Sequence, residues 1–329
     1  MSTMDVFSGD AFSMRTLTAA VNATPYVPGR IAELGIFEER GVPSTKVSVE
    51  RLAESIALVP TTPRGAPPTA HTSTLRTLYD LNTSRIALSD TIYADEVAGI
   101  RQFGSETAMQ SLASEVQVRN DLMARKIAAT IEYQQFTALE GVTRDSAGNT
   151  LVDSGALFAG SVPSAKNMGL GSTGIRSNCS TIIRSIEDAL GGRPYTSIHA
   201  FVDDTFMDNL MANSEVVDTY KYTEGSALRE QTARRSVQFG GITFEEYRPG
   251  PTDGLGAGEG IAFPIGAGIF QQRYAPADYA DTVNSIGIPV YARTFPDAMG
   301  NRYQVLEVQS NTLSVCVEPA AVYPLDDGV

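Results

Sequence analysis

Lys46-Val47-Ser48-Val49-Glu50-Arg51-Leu52, running on through Val59 into Pro60-Thr61-Thr62-Pro63-Arg64-Gly65-Ala66-Pro67-Pro68, is the stretch whose reading decides the fold. Val47, Val49 and Arg51 alternate with Lys46, Ser48 and Glu50, which is the period of a half-buried strand. The prolines end that pattern, and a second β-like run returns over 75–81. A strand rises about 3.3 Å per residue, so the outgoing run alone can reach roughly 45 Å. A two-stranded ribbon is marginal by itself. The excursion from Thr45 to Arg101 therefore makes physical sense if a neighbouring subunit supplies its missing core. That indicates assembly before it indicates catalysis.

Outward from the ribbon the chain changes character. From 105 to 140 there is neither Gly nor Pro, and Met109, Leu112, Val116, Met123, Ile127 and Ile131 fall on one helical face. Thr107 with Gln110 offers a capping box and Gly141 a stop. A helix of that length would span about 54 Å. Its stripe covers too few clean heptads for a coiled coil. A hairpin turn is expected over 143–150 and a Gly- and Ser-rich loop over 155–174. Helices follow over 180–190, ended by Gly191-Gly192, and over 206–220. Strands are expected over 198–202, 242–247 and 261–269, and closing strands over 288–294, 303–308 and 313–317. Before the ribbon, residues 1–44 read as an extended arm with one short helix (12–22). Ile31, Leu34, Ile36 and Phe37 form an apolar patch there, fit for docking.

The 329 residues carry 25 Lys and Arg against 38 Asp and Glu, a formal charge of −13. Gripping DNA needs cationic surface to displace counterions, and this chain has only four lysines (Lys46, Lys126, Lys166 and Lys221). Sequence-specific DNA recognition is not expected. Cys179 and Cys316 lack CxxC spacing, so a disulfide framework is excluded and a reducing compartment is the simpler reading. The N-terminus has no basic stretch followed by an apolar one, so no signal peptide is expected. The most apolar window, 261–270, is too short and too broken to cross a membrane.

Chemical motifs are weak. Gly169-Leu170-Gly171-Ser172-Thr173-Gly174 matches GxGxxG, but a polar stretch containing Pro163 precedes it and Glu187 and Asp188 lie in a helix, so a connector is favoured over a nucleotide site. Asp203 and Asp204 end a buried strand, where a metal or a general base could sit. Helix capping, with Thr205 and Asp208 as a box-like pair, accounts for them more simply. His199 is expected to be a satisfied core histidine, and His71, His199, Cys179 and Cys316 have no zinc-ligand spacing. No GxSxG elbow occurs. Arg229, Arg234, Arg235 and Arg248 could form a cationic patch, with ordinary pairing to Glu230, Glu245 and Glu246 preferred and pairing between subunits as a middle reading. No cofactor and no metal are expected.

Four short segments, in order, carry a family likeness. Leu58-Val59-Pro60 with Pro63-Arg64-Gly65-Ala66-Pro67 resembles the ribbon tip of the lambda-type major capsid protein family (phage capsid E). Asp90-Thr91-Ile92-Tyr93-Ala94-Asp95 with Gly99-Ile100-Arg101 resembles that family's lead into its spine helix. Thr137-Ala138-Leu139-Glu140-Gly141, closed by Asp145 and Gly148, resembles its helix exit and hairpin. Val308-Gln309-Ser310-Asn311-Thr312-Leu313-Ser314-Val315-Cys316, ending in Glu318-Pro319, is similar to its closing strands. The family often has prolines near Thr312 and Ser314 and a basic residue near Glu318, which bears on the shape of the closing hairpin here.

The resemblance implies an α+β chain of the Hong Kong 97-type capsid fold. Its parts would be an N-terminal arm (1–44), an extended β-ribbon loop and lead-in (45–101), and a peripheral domain with spine helix and hairpin (102–175). An axial α/β domain (176–287) and C-terminal strands returning to the peripheral domain (288–329) would complete it. It implies a structural protein, not an enzyme, that assembles as hexamers and pentamers into an icosahedral phage shell around double-stranded DNA, in the host bacterial cytoplasm. The expected interface comprises Ile36 and Phe37 of the arm, Val59, Arg64, Pro67, Leu75 and Arg76 of the ribbon, and Arg229, Arg234 and Arg235. Implied partners are further copies of itself, a separate scaffolding protein (no room for a fused one is seen before the arm), a portal protein and a decoration protein. Some relatives weld subunits through a ribbon lysine. None occurs between Arg51 and Arg125, so that cross-link is not expected here. Two other readings remain open: the same fold in a gene-transfer-agent or encapsulin-like container, and an α/β metal-dependent enzyme using Asp203, Asp204 and His199.

Overall fold

The computed structural model describes residues 29–52, 61, 63–65, 76–93, 96, 112–158, 160–222, 236–248, 254–296 and 303–329. In chain order come α1 (Arg30–Glu33), β1 (Glu38–Gly41), β2 (Lys46–Leu52), β3 (Arg76–Asn82), β4 (Ser84–Tyr93) and α2 (Leu112–Leu139). Next are β5 (Val142–Arg144), β6 (Thr150–Asp153), α3 (Ser154–Leu157), β7 (Lys166–Asn167), α4 (Ile175–Leu190) and β8 (Ser197–Val202). Then α5 (Asp204–Ala212), α6 (Ser214–Tyr222), β9 (Ser236–Phe239), β10 (Ile242–Glu246) and β11 (Glu259–Ile265) lead to β12 (Phe270–Ala275), β13 (Tyr291–Pro296), β14 (Tyr303–Cys316) and β15 (Tyr323–Asp326).

The ribbon forms as its alternation requires. β2 and β3 pair antiparallel, with Val47 opposite Leu81 and Val49 opposite Tyr79. Those four side chains face the main core, where Val47 and Val49 are buried, while Lys46, Ser48, Glu50, Leu78 and Asp80 face solvent. The base of the ribbon is thus covered by its own subunit. A core missing along the whole excursion is not what the structure shows.

A 14-residue strand, β14, organises the first sheet. On one side it pairs with β13 through Gln304–Gln309 and with β12 through Asn311–Cys316, and on the other with β4 over ten residues, Tyr303 to Thr312. β1 adds to β12 in parallel. The sequence pointed to two closing strands with a hairpin between them; the ladder instead runs unbroken through Gln309–Thr312, because partners on both sides satisfy its backbone. Asp90–Tyr93, expected only as a lead-in, belongs to β4.

Over this sheet lies the long helix α2, 28 described residues and about 42 Å. Val116, Met123, Ile127 and Ile131 of its apolar stripe pack on Ile92, Leu306 and Val308. Its end follows from Gly141, whose φ of +85° is open to glycine without steric cost and whose N–H bonds the Ala138 carbonyl at 3.1 Å. The hairpin β5–β6 forms where expected: the Asp145 carboxylate accepts from the N–H groups of Ala147 and Asn149, each at 2.8 Å. Met109, Thr107, Gln110 and the expected helix over 12–22 lie outside the described residues.

The second sheet has six strands in the order β7-β15-β11-β8-β10-β9. Phe201, Phe244 and Phe263 of its strands share the main core with Ile182, Ile186, Phe206 and Leu210 of α4 and α5. The helix expected over 206–220 is two. Asn213 breaks it with an extended backbone (ψ 137°). Its amide donates to the carbonyls of Leu170 and Ser172 at 2.8 and 2.7 Å, and its carbonyl oxygen accepts from the Glu215 N–H at 2.9 Å, capping α6. β9, β12 and β15 escaped the sequence reading; β9 and β15 are only four residues each, and β12 follows β11 after a short turn through Gly266 and Gly268.

Candidate functional site

The residues that could have carried chemistry have structural partners. Asp203 is the N-cap of α5, accepting from the Thr205 N–H at 3.1 Å, and it also accepts from Gly258 N–H at 3.3 Å. These bonds, against the opposing effect of burial, hold its carboxyl below its ordinary value. The cap is Asp203 itself rather than Thr205. Asp204 accepts from Arg248 at 2.8 Å. His199 sits 3.1 Å from Glu245 Oε2, and Glu245 also receives the Arg30 guanidinium at 2.6 and 3.0 Å. Glu245 therefore pairs with Arg30 and His199, and of the expected arginine–glutamate pairing the described Arg248 meets Glu246 at 3.2 Å. Burial alone would push its carboxyl up, but the hydrogen bonds from His199 and Arg30 outweigh it and hold the carboxyl below its ordinary value.

The GxGxxG stretch opens α4, but Glu215 occupies the helix N-terminus: its carboxylate accepts from the N–H of Gly174 and, at 3.5 Å, of Arg176. An anion has no free helix end to bind there. Among the described residues no group of three or more His, Cys, Asp or Glu is arranged to hold a metal. Cys179 and Cys316 are buried free thiols, each pushed up to about 12 by burial.

The expected interface residues divide three ways. Ile36 and Phe37 are buried in the subunit's own core, Phe37 with its ring 5.4 Å from Phe270. They form no free docking patch, because the arm turns back and adds β1 to β12. Arg64 is exposed, and Arg76 opens β3 opposite Leu52. Val59, Pro67, Leu75, Arg229, Arg234 and Arg235 lie outside the described residues. What the sequence reading missed is a set of bare aliphatic side chains: Leu78 on the ribbon (61% exposed), Val118 and Leu122 on α2 (56% and 54%), and Val283 and Ile286 before β13 (both 69%). Val118 and Leu122 stand at i and i+4 away from the buried stripe, a spacing visible in sequence but indistinguishable there from a widened core face.

The loop that presents Val283 and Ile286 is held firmly. Thr282 donates to Tyr279 O at 2.9 Å, Ser285 donates to Thr282 O at 2.6 Å, Gly287 N–H bonds Val42 O at 3.0 Å, and Asn284 takes a left-handed φ of +62°. Its apolar tip is therefore displayed by a defined backbone rather than by a slack one.

Comparison with solved structures shows the same fold. The capsid of Myoviridae phage XM1 matches with a TM-score of 0.52 at 12% identity, over 92% of this chain and 93% of that chain. The capsid of cyanophage A-1(L) matches with a TM-score of 0.51 at 12% identity, over 93% and 94%. No curated protein sequence matches. The family described as phage major capsid protein E matches residues 13–326, an extent that leaves out only the two termini. That match takes in the ribbon, the long helix and both sheets, and the chain therefore belongs to the phage major capsid protein E family and is a major capsid protein of bacteriophage.

Proposed function

We propose that this capsid protein builds its shell from hexamers and pentamers in which the ribbon, the outer face of the long helix and the 283–286 loop meet neighbouring copies. The observation that carries this reading is the exposure of Leu78, Val118, Leu122, Val283 and Ile286, large aliphatic side chains on three separate elements of a folded subunit. A single exposed leucine is ordinary; paired ones on a helix and on a stiff loop, in a family that assembles many copies, are surfaces awaiting cover. Arg64 at the ribbon tip, with Val59, Pro67, Leu75 and Arg76, belongs to the same proposed contact, and Arg229, Arg234 and Arg235 to a second one.

Membership in a capsid family implies a structural, non-enzymatic role in the virion shell. On this reading the shell assembles in the host bacterial cytoplasm on a separate scaffolding protein, joins a portal, encloses double-stranded DNA without reading its sequence, and is reinforced by noncovalent contacts and a decoration protein. The boundaries at 44, 101, 175 and 287 then separate arm, ribbon, peripheral, axial and closing parts.

Size-exclusion chromatography with electron microscopy of the purified chain tests it. Shells, tubes or rings of five or six subunits are expected, and deletion of residues 60–71 should abolish closed particles. A compact monomer or dimer that persists at high concentration with scaffold present would overturn the reading.

A further inference from the structure

Near the far end of β2, on the face shared by Val47 and Val49, stands Arg51, an arginine where the alternation would accept an aliphatic side chain. Its Nη2 donates to both carboxylate oxygens of Glu318, at 2.9 and 3.1 Å, and its Nε donates to Oε2 at 3.3 Å. Nη1 donates to the Phe158 carbonyl. Glu318 lies two residues beyond the end of β14 and begins the tight turn Pro319–Ala321. Phe158 ends α3, and its ring meets Tyr79 of β3 edge-on at 4.9 Å. Both strands of the ribbon are therefore held at one place, β2 by Glu318 just beyond the central strand of the first sheet and by the Phe158 carbonyl, and β3 by the Phe158 ring.

This contact differs in kind from the rest of the ribbon base. Val47 and Val49 are held by burial, which is non-directional. Lys46 and Asp80 form a pair with side chains 64% and 50% exposed, which water and salt screen. Arg51 and Glu318 are 25% and 11% exposed, and a guanidinium fork on a carboxylate has a defined plane as well as a charge. Among the described residues of β2 this pair ties the strand to the subunit body with a defined direction.

We propose that Arg51 and Glu318 are a positioning pair that fixes the angle at which the ribbon leaves the subunit, and thereby the curvature with which copies close into a shell. The inference rests on the reading of the ribbon as a contact between copies. The 13 residues from Arg51 to Arg64 can span at most roughly 45 Å, so a tilt of about 5° at the base would shift the tip by up to about 4 Å, enough to misplace a packed contact.

The test uses the full chain with Arg51→Lys and Glu318→Gln. Lysine keeps the charge but cannot reach Glu318 and the Phe158 carbonyl together in a plane; glutamine keeps the shape and loses the charge. Both variants should unfold cooperatively, while amide exchange in residues 46–52 and 76–82 rises about tenfold and that in 197–202 stays unchanged. Electron microscopy should show fewer closed particles and a broader range of diameters. Closed particles of unaltered diameter and yield, with unaltered ribbon exchange, would overturn the proposal. So would exchange rising alike in 197–202, which would mark the pair as general support. The deletion of 60–71 separates the two readings: if it abolishes closure while both variants assemble normally, only the positioning role fails, and if it changes nothing, the ribbon contact itself fails.

Discussion

The two sheets bury different chemistry. The six-stranded sheet closes over rings: Phe201 stacks on Tyr247 with centroids 4.3 Å apart and meets Phe263 at 5.1 Å, and Phe206 lies 6.1 Å from Phe244. The five-stranded sheet buries Gln272, Gln304, Gln309, Ser310, Asn311, Thr312 and Ser314. Along β14 the helix-facing positions change from Leu306 and Val308 to Ser310, Thr312 and Ser314, so α2 rests on hydrocarbon at one end and on amides and hydroxyls at the other. Some of those polar groups are matched: Gln272 donates to Thr312 Oγ1 and accepts from Ser314 Oγ, and Thr143 donates to the Ser314 carbonyl at 2.8 Å. Others, Ser310 Oγ and Gln309 Nε2, have no partner among the described residues. An aromatic core gives stability without direction; a hydrogen-bonded one gives direction and makes each group either matched or costly.

The contrast can be broken most forcefully in the aromatic sheet. Phe201→Ala removes a fully buried ring from a cluster of three and should destabilise the unassembled subunit by about 3–5 kcal/mol in denaturant unfolding. A loss under about 1 kcal/mol would mean the rings are not the main support of that sheet.

Glu245→Gln comes next, because this sheet's one deeply buried carboxylate holds Arg30 of the arm and His199 of β8. Its loss should cost about 2–3 kcal/mol near neutral pH, less than for a wholly enclosed pair since Arg30 keeps contact with water. The folded carboxyl titrates below its ordinary 4.5. Its contribution is therefore complete above about pH 4.5 and is lost as pH falls through the lower folded value. The stability of the parent chain should therefore fall in that acid window, and Glu245→Gln should flatten the dependence; an equal acid slope in both would contradict the pairing.

In the polar sheet, Gln272→Leu should cost about 1–3 kcal/mol, since it strips Thr312 and Ser314 of a buried partner. The smallest effect is expected of Ser310→Ala, within about 0.5 kcal/mol of the parent or slightly stabilising, because its hydroxyl has no bond to lose. Thermal unfolding of the two variants side by side sharpens the comparison: equal losses would mean that matched and unmatched groups count alike.

Much of the architecture was legible because it rests on periodicity. The two-residue alternation of Val47, Val49 and Arg51 marked β2, and Val116, Met123, Ile127 and Ile131 marked the buried face of α2. Asp145 and Gly148 marked a hairpin through turn chemistry that acts within five residues. β14 was legible only in halves, because its polar middle, Gln309 to Thr312, looks like a turn until strands on both sides are known. The exposed apolar surface was the least legible part. Ile36 and Phe37 looked ready to dock and are core, whereas Val283 and Ile286 lie in a loop without a period.

By itself the sequence marked the periodic segments, β2, the buried face of α2 and the β5–β6 hairpin among them, and through four ordered local likenesses it pointed to the family, since these properties are written in neighbouring residues. Tertiary structure alone decided which apolar and charged groups are used inside the subunit and which are left exposed. Arg51 meets Glu318, Arg30 meets Glu245, and Ile36 is covered while Ile286 is bare, because exposure and pairing depend on residues more than 200 positions apart along the chain, which the fold brings together (Arg30 with Glu245, 215 apart, and Arg51 with Glu318, 267 apart).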